Sequence, residues 1–126
     1  MYGPLKAALF RMDPEKAHHA ALAALRPLHR SPTLQSALRP RPDPRLACSF
    51  LGNDVAAPLG VAAGFDKGAE AYNALLALGF AHVEVGTVTP RPQPGNDGVR
   101  LQRFPELHAL VNRMGFPGPG CGRGVT

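Results

Sequence analysis

The chain has 126 residues, 44% of them hydrophobic and 18% charged, a globular composition of a size for one small domain. No run approaches the roughly twenty apolar residues of a transmembrane helix, and no signal-peptide pattern is present. The formal charge of +5 suits an anionic surface or a phosphate-bearing ligand, but few aromatics stand among the basic residues and no nucleic-acid-binding module is present.

Pro4 to Phe10 reads as a short helix with Leu5, Ala8 and Leu9 on one side. Asp13-Pro14-Glu15 then starts a second helix: Asp as N-cap, Pro at the first position, Glu near the positive end of the dipole. Ala17, Ala21, Leu22, Ala24, Leu25 and Leu28 build its apolar face, which also carries His18, while His19 points elsewhere. Pro27 is expected to end or kink this helix. With Lys6, Arg11, Arg26, His29 and Arg30 nearby, the two amphipathic helices suit either a membrane interface or the cap of a soluble core. Ser31 to Arg45 is polar, basic and rich in proline, and reads as a linker. Arg45 to Val55 suggests a hairpin turning at Gly52-Asn53. Cys48 and the distant Cys121 form no CxxC pair, and a reduced pair is expected over a disulfide or a metal site.

Leu59 to Ala63 is a small apolar run without polar alternation, the pattern of a strand buried on both faces. Gly64 lets the backbone turn or approach a ligand closely, and Asp66-Lys67 follow at the strand's carboxyl end. Ala69, Tyr72, Leu75 and Leu76 fall at helical spacing, with Gly79 as the stop. His82 to Gly86 forms a second strand ending at Thr87-Val88-Thr89. Strand, helix and strand within about thirty residues make a βαβ unit and call for a parallel pair. Gly64–Lys67 and Gly86–Thr89 then lie side by side, and a ligand is expected there. Thr89 to Arg100 is a rigid loop with alternating prolines and Gly95-Asn96 at its tip. Arg100 to Phe104 alternates as a short strand. Glu106 to Val111 reads as a helical turn closed by Asn112–Phe116, and Pro117–Thr126 as coil.

Four stretches, AAGFDK (62–67), GFAHVEVGTVTPRPQPGN (79–96), RLQRFPE (100–106) and VNRMGF (111–116), resemble the dihydroorotate dehydrogenases. DPEKAH (13–18) and Arg103 single out the membrane-associated, quinone-dependent class. The resemblance implies an α/β fold: the amino-terminal portion of a (β/α)8 TIM barrel holding FMN, preceded by a small amphipathic helical extension. The implied organisation is an extension at 1–30, a linker at 31–45, the first βα units at 46–116 and an atypical tail at 117–126. The implied FMN contacts are Ala63, Gly64, Phe65 and Asp66 through backbone, Lys67, and Thr87 through a hydrogen bond. Substrate, dihydroorotate or orotate, would meet Lys67, Asn112, Arg113, Met114, Gly115 and Phe116. His18 and Arg103 would line the tunnel of a membrane quinone.

Departures from the family pattern begin after Phe116, and Gly68 stands where the family often has Asn or Asp. A full barrel takes roughly 250 residues, and neither the family's serine base nor its glycine-rich phosphate site is among these 126. The expectation is therefore an amino-terminal part of the enzyme, with no catalytic base and no metal ligands, inactive by itself. It would be peripheral to a membrane, at the cytoplasmic face of a bacterial inner membrane, and would bind no nucleic acid. Two other readings stay open: a cytosolic FMN barrel with another acceptor, and a small basic membrane- or protein-binding module without catalysis.

Overall fold

The computed structural model describes residues 2–123. Helix α1 spans Tyr2–Arg11 and α2 spans Pro14–Arg30. At the start of α2 the Asp13 carboxylate accepts from the N–H groups of Glu15 and Lys16, both at 3.0 Å. Pro14, which has no N–H to leave unpaired, occupies the first turn. Ala17, Leu22 and Leu28 are buried, whereas Ala24, expected on the same face, is exposed. Pro27 does not end the helix, which continues to Arg30. The bond it forfeits belongs to a carbonyl one turn back, on exposed Ala23, where water can serve it.

The stretch expected as a linker contains a helix, α3, over Pro32–Leu38. Ser31 caps it, its Oγ accepting from the Leu34 N–H at 3.3 Å, and Pro32 presets the first turn. The Gln35 Nε2 donates back to the Leu28 and His29 carbonyls at 3.0 and 2.8 Å, satisfying the last turn of α2. Strands β1 (Cys48–Phe50) and β2 (Asn53–Val55) form the expected hairpin, paired Cys48 to Val55 through Phe50 to Asn53. The Phe50 ring stacks on His82, centroids 4.2 Å apart, so the hairpin covers the amino end of the next pair of strands.

Strands β3 (Val61–Asp66) and β4 (Val83–Val85) run parallel, joined through helix α4 (Tyr72–Ala77). The strand predicted over Leu59–Ala63 therefore lies later, and it is not buried on both faces. Leu59 is 62% exposed and Ala63 is exposed, because β4 is the only strand beside β3 among the described residues. Gly64 is a strand residue, at φ +103°, a backbone that favours glycine. Its N–H donates to the Gly86 carbonyl at 2.9 Å, and the Gly86 N–H donates to the Asp66 carbonyl at 3.3 Å. The two carboxyl ends thus stand side by side. Helix α4 packs on α2 through Ala74, Ala77 and Leu28, with Leu25 at the edge; the alanines let the two backbones come close.

Strands β5 (Leu101–Phe104) and β6 (Ala109–Asn112) form an antiparallel pair in register from Leu101–Asn112 to Phe104–Ala109. The helical turn expected over Glu106–Val111 is confined to one 3-10 turn, Pro105–Leu107, and His108 at φ +49° reverses the chain into β6. Leu110 and Val111 are strand residues because they have Arg103 and Gln102 to pair with, a choice local periodicity cannot make. The tail is also not free coil where it is described. Gly118 exchanges backbone hydrogen bonds with Gln93, both at 3.0 Å, and the Cys121 N–H donates to the Thr89 carbonyl at 2.8 Å. Residues 124–126, part of the expected coil, lie outside the described residues. Cys48 and Cys121 are both free thiols and exposed.

Asp66 is fully buried, and its two carboxylate oxygens accept from the Glu70 and Ala71 N–H groups at 2.7 and 2.8 Å. Replacing it with alanine removes two charge-assisted bonds and leaves two donors unpaired, a loss of about 3 kcal/mol. Asp66→Ala is expected to lower the urea midpoint by roughly 1–2 M, and Asp66→Asn, which keeps one acceptor, to lower it less. Equilibrium denaturation followed by circular dichroism checks this, and a midpoint unchanged in Asp66→Ala contradicts the role.

Candidate functional site

A cavity of about 580 Å³ opens at the carboxyl ends of β3 and β4. Ala63, Gly64, Lys67 and Thr87 line it from the parallel pair, Asn112 to Pro117 from the end of β6 and the segment after it, and Glu15 and His18 from α2. Residues spread over a hundred positions thus converge on one space. It gathers most of the residues singled out in the sequence.

Gly64 contributes bare backbone to this lining. A Cβ added there would meet no atom within 4 Å, so Ala63–Gly64 presents a flat, unobstructed edge against which a planar group can lie. Lys67 follows at the strand's end, half-buried, its Nζ donating to the Gly64 carbonyl at 2.9 Å. Burial lowers the Lys67 pKa from the ordinary ammonium value, the Glu15 carboxylate opposes this, and Arg100 adds to it. One donor is engaged by a neutral carbonyl, so the ammonium can still face an anionic or carbonyl oxygen in the cavity. Asp66 acts differently: both its oxygens are committed to the α4 turn, and its side chain serves the scaffold.

His18 is half-buried and meets the Phe65 ring edge to face, centroids 5.3 Å apart. Phe65 therefore supports the imidazole. Burial, then Lys67 and His19, lower the His18 pKa, against smaller opposing effects of Glu15 and Asp66. Asn112, at the last position of β6, offers both a donor and an acceptor to the cavity. Met114, Gly115 and Phe116 extend this wall, with Gly115 at φ +71° and Phe116 at φ +53° and 67% exposed. The Arg113 guanidinium turns to the preceding loop, donating to the carbonyls of Val99 and Asp97, both at 3.1 Å.

Arg103 does not share this cavity with His18. Its Nη1 donates to the Leu9 and Met12 carbonyls at 3.2 and 2.9 Å, holding the carboxyl end of α1, and its guanidinium lies over the Phe10 ring 5.0 Å from the centroid. A second hollow of about 480 Å³, bordered by Phe10, Met12, Val99 and Leu101, is where Arg103 faces open space.

Glu15, which lines the cavity, and Arg100, which holds it, carry no local signal for those roles. By sequence Glu15 is a helix-dipole residue and Arg100 the first residue of a short alternating strand. In the structure Arg100 forms a bidentate ion pair with Glu15, and the Glu15 carboxylate lines the cavity. Arg100 lowers the Glu15 pKa chiefly through this hydrogen bond. The partners stand 85 positions apart, so no local spacing could have revealed them.

A family model described as dihydroorotate dehydrogenase matches residues 45–125, continuing past Phe116, where the resemblance was expected to stop. A curated dihydroorotate dehydrogenase (quinone) from Anaeromyxobacter dehalogenans is 54% identical over 121 residues, 95% of this chain and 32% of that protein. One from Halobacterium salinarum is 49% identical over 126 residues, 96% of this chain and 35% of that protein. Among solved structures, the ligand-free DHODH of Eimeria tenella superimposes with a TM-score of 0.72 at 38% identity, over 87% of this chain and 29% of that one. The same protein in complex with ferulenol gives a TM-score of 0.70 at 38% identity. The chain spans about a third of the length of the curated relatives it matches.

Because the folded His18 pKa is depressed, the unfolded chain binds the extra proton more readily. Stability is then fully present above the ordinary imidazole value of about 6.5 and falls as the pH drops from there through the folded pKa. His18→Gln is expected to flatten that slope. NMR titration of the His18 ring checks the cause, and a midpoint at or above the ordinary value contradicts it.

Proposed function

The chain belongs to the dihydroorotate dehydrogenase family, and we propose that it forms the amino-terminal part of a quinone-dependent flavoenzyme that oxidises dihydroorotate to orotate in pyrimidine biosynthesis. In this reading β3, α4 and β4 are the first βα units of a (β/α)8 barrel, and α1 and α2 are an amphipathic extension on it. The observation that carries the reading is the cavity at the carboxyl ends of β3 and β4, where a bare glycine edge, a half-buried lysine and an asparagine amide converge.

These residues fit a bound FMN. The open Ala63–Gly64 backbone accepts the face or edge of a planar ring system, and the Thr87 hydroxyl can donate to or accept from its heteroatoms. When bound, FMN supplies the two-electron chemistry, taking a hydride from substrate and passing electrons to a quinone. Lys67, which lines the cavity with Gly64 and Asn112, would place positive charge beside electron-rich oxygens of a bound flavin and substrate. Asn112 orients the pyrimidine by pairing with a ring carbonyl and a ring N–H. Arg113, Met114, Gly115 and Phe116 shape the same wall, Arg113 by fixing the loop behind it. The proton at the reacting carbon goes to a base that these 126 residues do not supply, so the chain alone is expected not to turn over.

His18 and Arg103 are the proposed quinone-side residues, reaching from α2 and β5 toward the two hollows. No helix among the described residues is long and apolar enough to cross a membrane. Leu5, Phe10 and Met12 are exposed at 57%, 45% and 40% beside Lys6 and Arg11, a composition suited to lying in a lipid interface. Peripheral association, at the cytoplasmic face of the membrane, is the corresponding location.

A chimera tests the catalytic reading. Residues 1–126 replace the matching third of the Anaeromyxobacter dehalogenans relative, and dihydroorotate-dependent quinone reduction is measured. The chimera is expected to be active, and Lys67→Ala to lower kcat/KM about 100-fold or more, the scale of removing one preorganised charge. An inactive chimera that folds and binds FMN contradicts the proposal. Vesicle co-sedimentation of the 126-residue chain tests the membrane reading. Binding to anionic vesicles is expected at low salt, weaker in high salt and several-fold weaker in Leu5→Glu; no binding at low salt favours a cytosolic flavin enzyme.

A further inference from the structure

Arg100 stands where the proline-rich loop meets β5, and it does not line the main cavity. Its Nε donates to both Glu15 oxygens, at 3.1 and 3.0 Å, and its Nη2 donates to Oε1. Its Nη1 donates to the Pro94 and Asn96 carbonyls at 2.6 and 3.3 Å. A planar fork of donors suits one carboxylate and two loop carbonyls at once, and an ammonium would not hold all three in this arrangement.

The network continues from the loop to the cavity wall. The Asn96 N–H donates to the Met114 carbonyl at 2.9 Å, and its side-chain amide donates to the Arg113 carbonyl at 2.6 Å. Arg113 returns its own N–H to the Arg100 carbonyl at 2.9 Å. A continuous chain of hydrogen bonds therefore links Glu15 on α2 to the wall beyond Asn112. Glu15 lies three residues before His18, on the same side of α2, and both line the cavity.

The pair differs from the other long-range ion pair of the described residues. The Arg100 and Glu15 side chains are 19% and 24% exposed, against 51% and 43% for Arg26 and Glu70. Water screens the first pair less, so its loss leaves a partner in poorer solvation.

We propose that Glu15 and Arg100 are positioning residues, a strut that sets the His18 face of α2 against the Asn112–Phe116 wall and so aligns substrate with Lys67. The positioning role rests on the flavoenzyme reading; the strut itself does not. Arg100 lies outside the lining of the cavity and acts through the loop carbonyls and Glu15.

Two measurements test this. In the 126-residue chain, native-state hydrogen exchange is followed at the Asn96 and Arg113 amides in E15Q, R100Q and the double variant. Each single variant is expected to speed both amides about tenfold while the amides of Leu75 in α4 and of Leu78 at its carboxyl cap are unchanged, and the double variant to be no faster than the worse single. Unchanged loop amides, additive effects or equal acceleration in α4 overturn the strut. If R100Q does not fold, Arg100→Lys, which keeps the charge but not the fork, is held to the same outcomes. In the chimera, R100Q and E15Q are expected to raise the KM for dihydroorotate about tenfold, with kcat changed less. A fall in kcat at constant KM marks mere loss of folded enzyme and overturns the positioning role. An inactive unsubstituted chimera overturns that role together with the reading it rests on, whereas the exchange rates decide the strut alone.

Discussion

The joint between strand β3 and helix α4 is held by one buried carboxylate, and most of the structure depends on it. Asp66 accepts two backbone N–H groups at the turn, so the chain must reverse direction directly after the strand. That reversal brings α4 back along β3, where Ala74 and Ala77 lie against Leu28 of α2. It also leaves Lys67 at the strand's end, pointing back to the Gly64 carbonyl. A buried carboxylate with both oxygens satisfied is stable only in this geometry, because losing either partner leaves an ion without solvent.

Around this joint the structure is tied by polar contacts as much as by an apolar core. The fully buried apolar residues near it are small, chiefly Ala71, Ala74 and Ala77. Side chains of α2 reach the α4 region instead: Arg26 pairs with Glu70, and the His29 Nδ1 accepts from the Asn73 N–H at 3.3 Å beside the Tyr72 ring. On the other side Glu15 meets Arg100, and Arg103 holds the end of α1. Helices α1 and α2 are thereby oriented by charge and hydrogen bonds, which demand specific angles where apolar contacts do not. Apolar residues of the sheets stay exposed, among them Val85, Leu110 and Val111. Contiguous apolar surface of this kind marks a face for contact with other groups.

The local signals were legible because they act over a few residues. Asp13-Pro14 announced a cap and a first turn, the alternation after Arg100 announced a strand, and Gly64 marked the edge of the cavity. The motifs around them carried the family, since a run such as GTVTPRPQPGN is long and unusual enough to be specific. Where reading failed, tertiary contacts had overridden local preference. Ser31–Pro32 with Gln35 made a helix within a proline-rich stretch because Gln35 had α2 carbonyls to bond. Leu110 and Val111 joined a strand because β5 was there to pair with.

By itself the sequence determined that the carboxyl ends of β3 and β4 lie side by side, because a βαβ unit places successive strand ends together whatever surrounds it. It also determined the family, through the identity of the residues in its motifs. Only the tertiary structure decided that Asp66 serves the scaffold while Lys67 faces the cavity, that Arg103 holds α1 apart from His18, and that Glu15 and Arg100 join two walls. These depend on where side chains of distant segments meet. A hydrogen bond between positions 15 and 100 leaves no periodicity in the chain, since its free energy arises only after both backbones are in place.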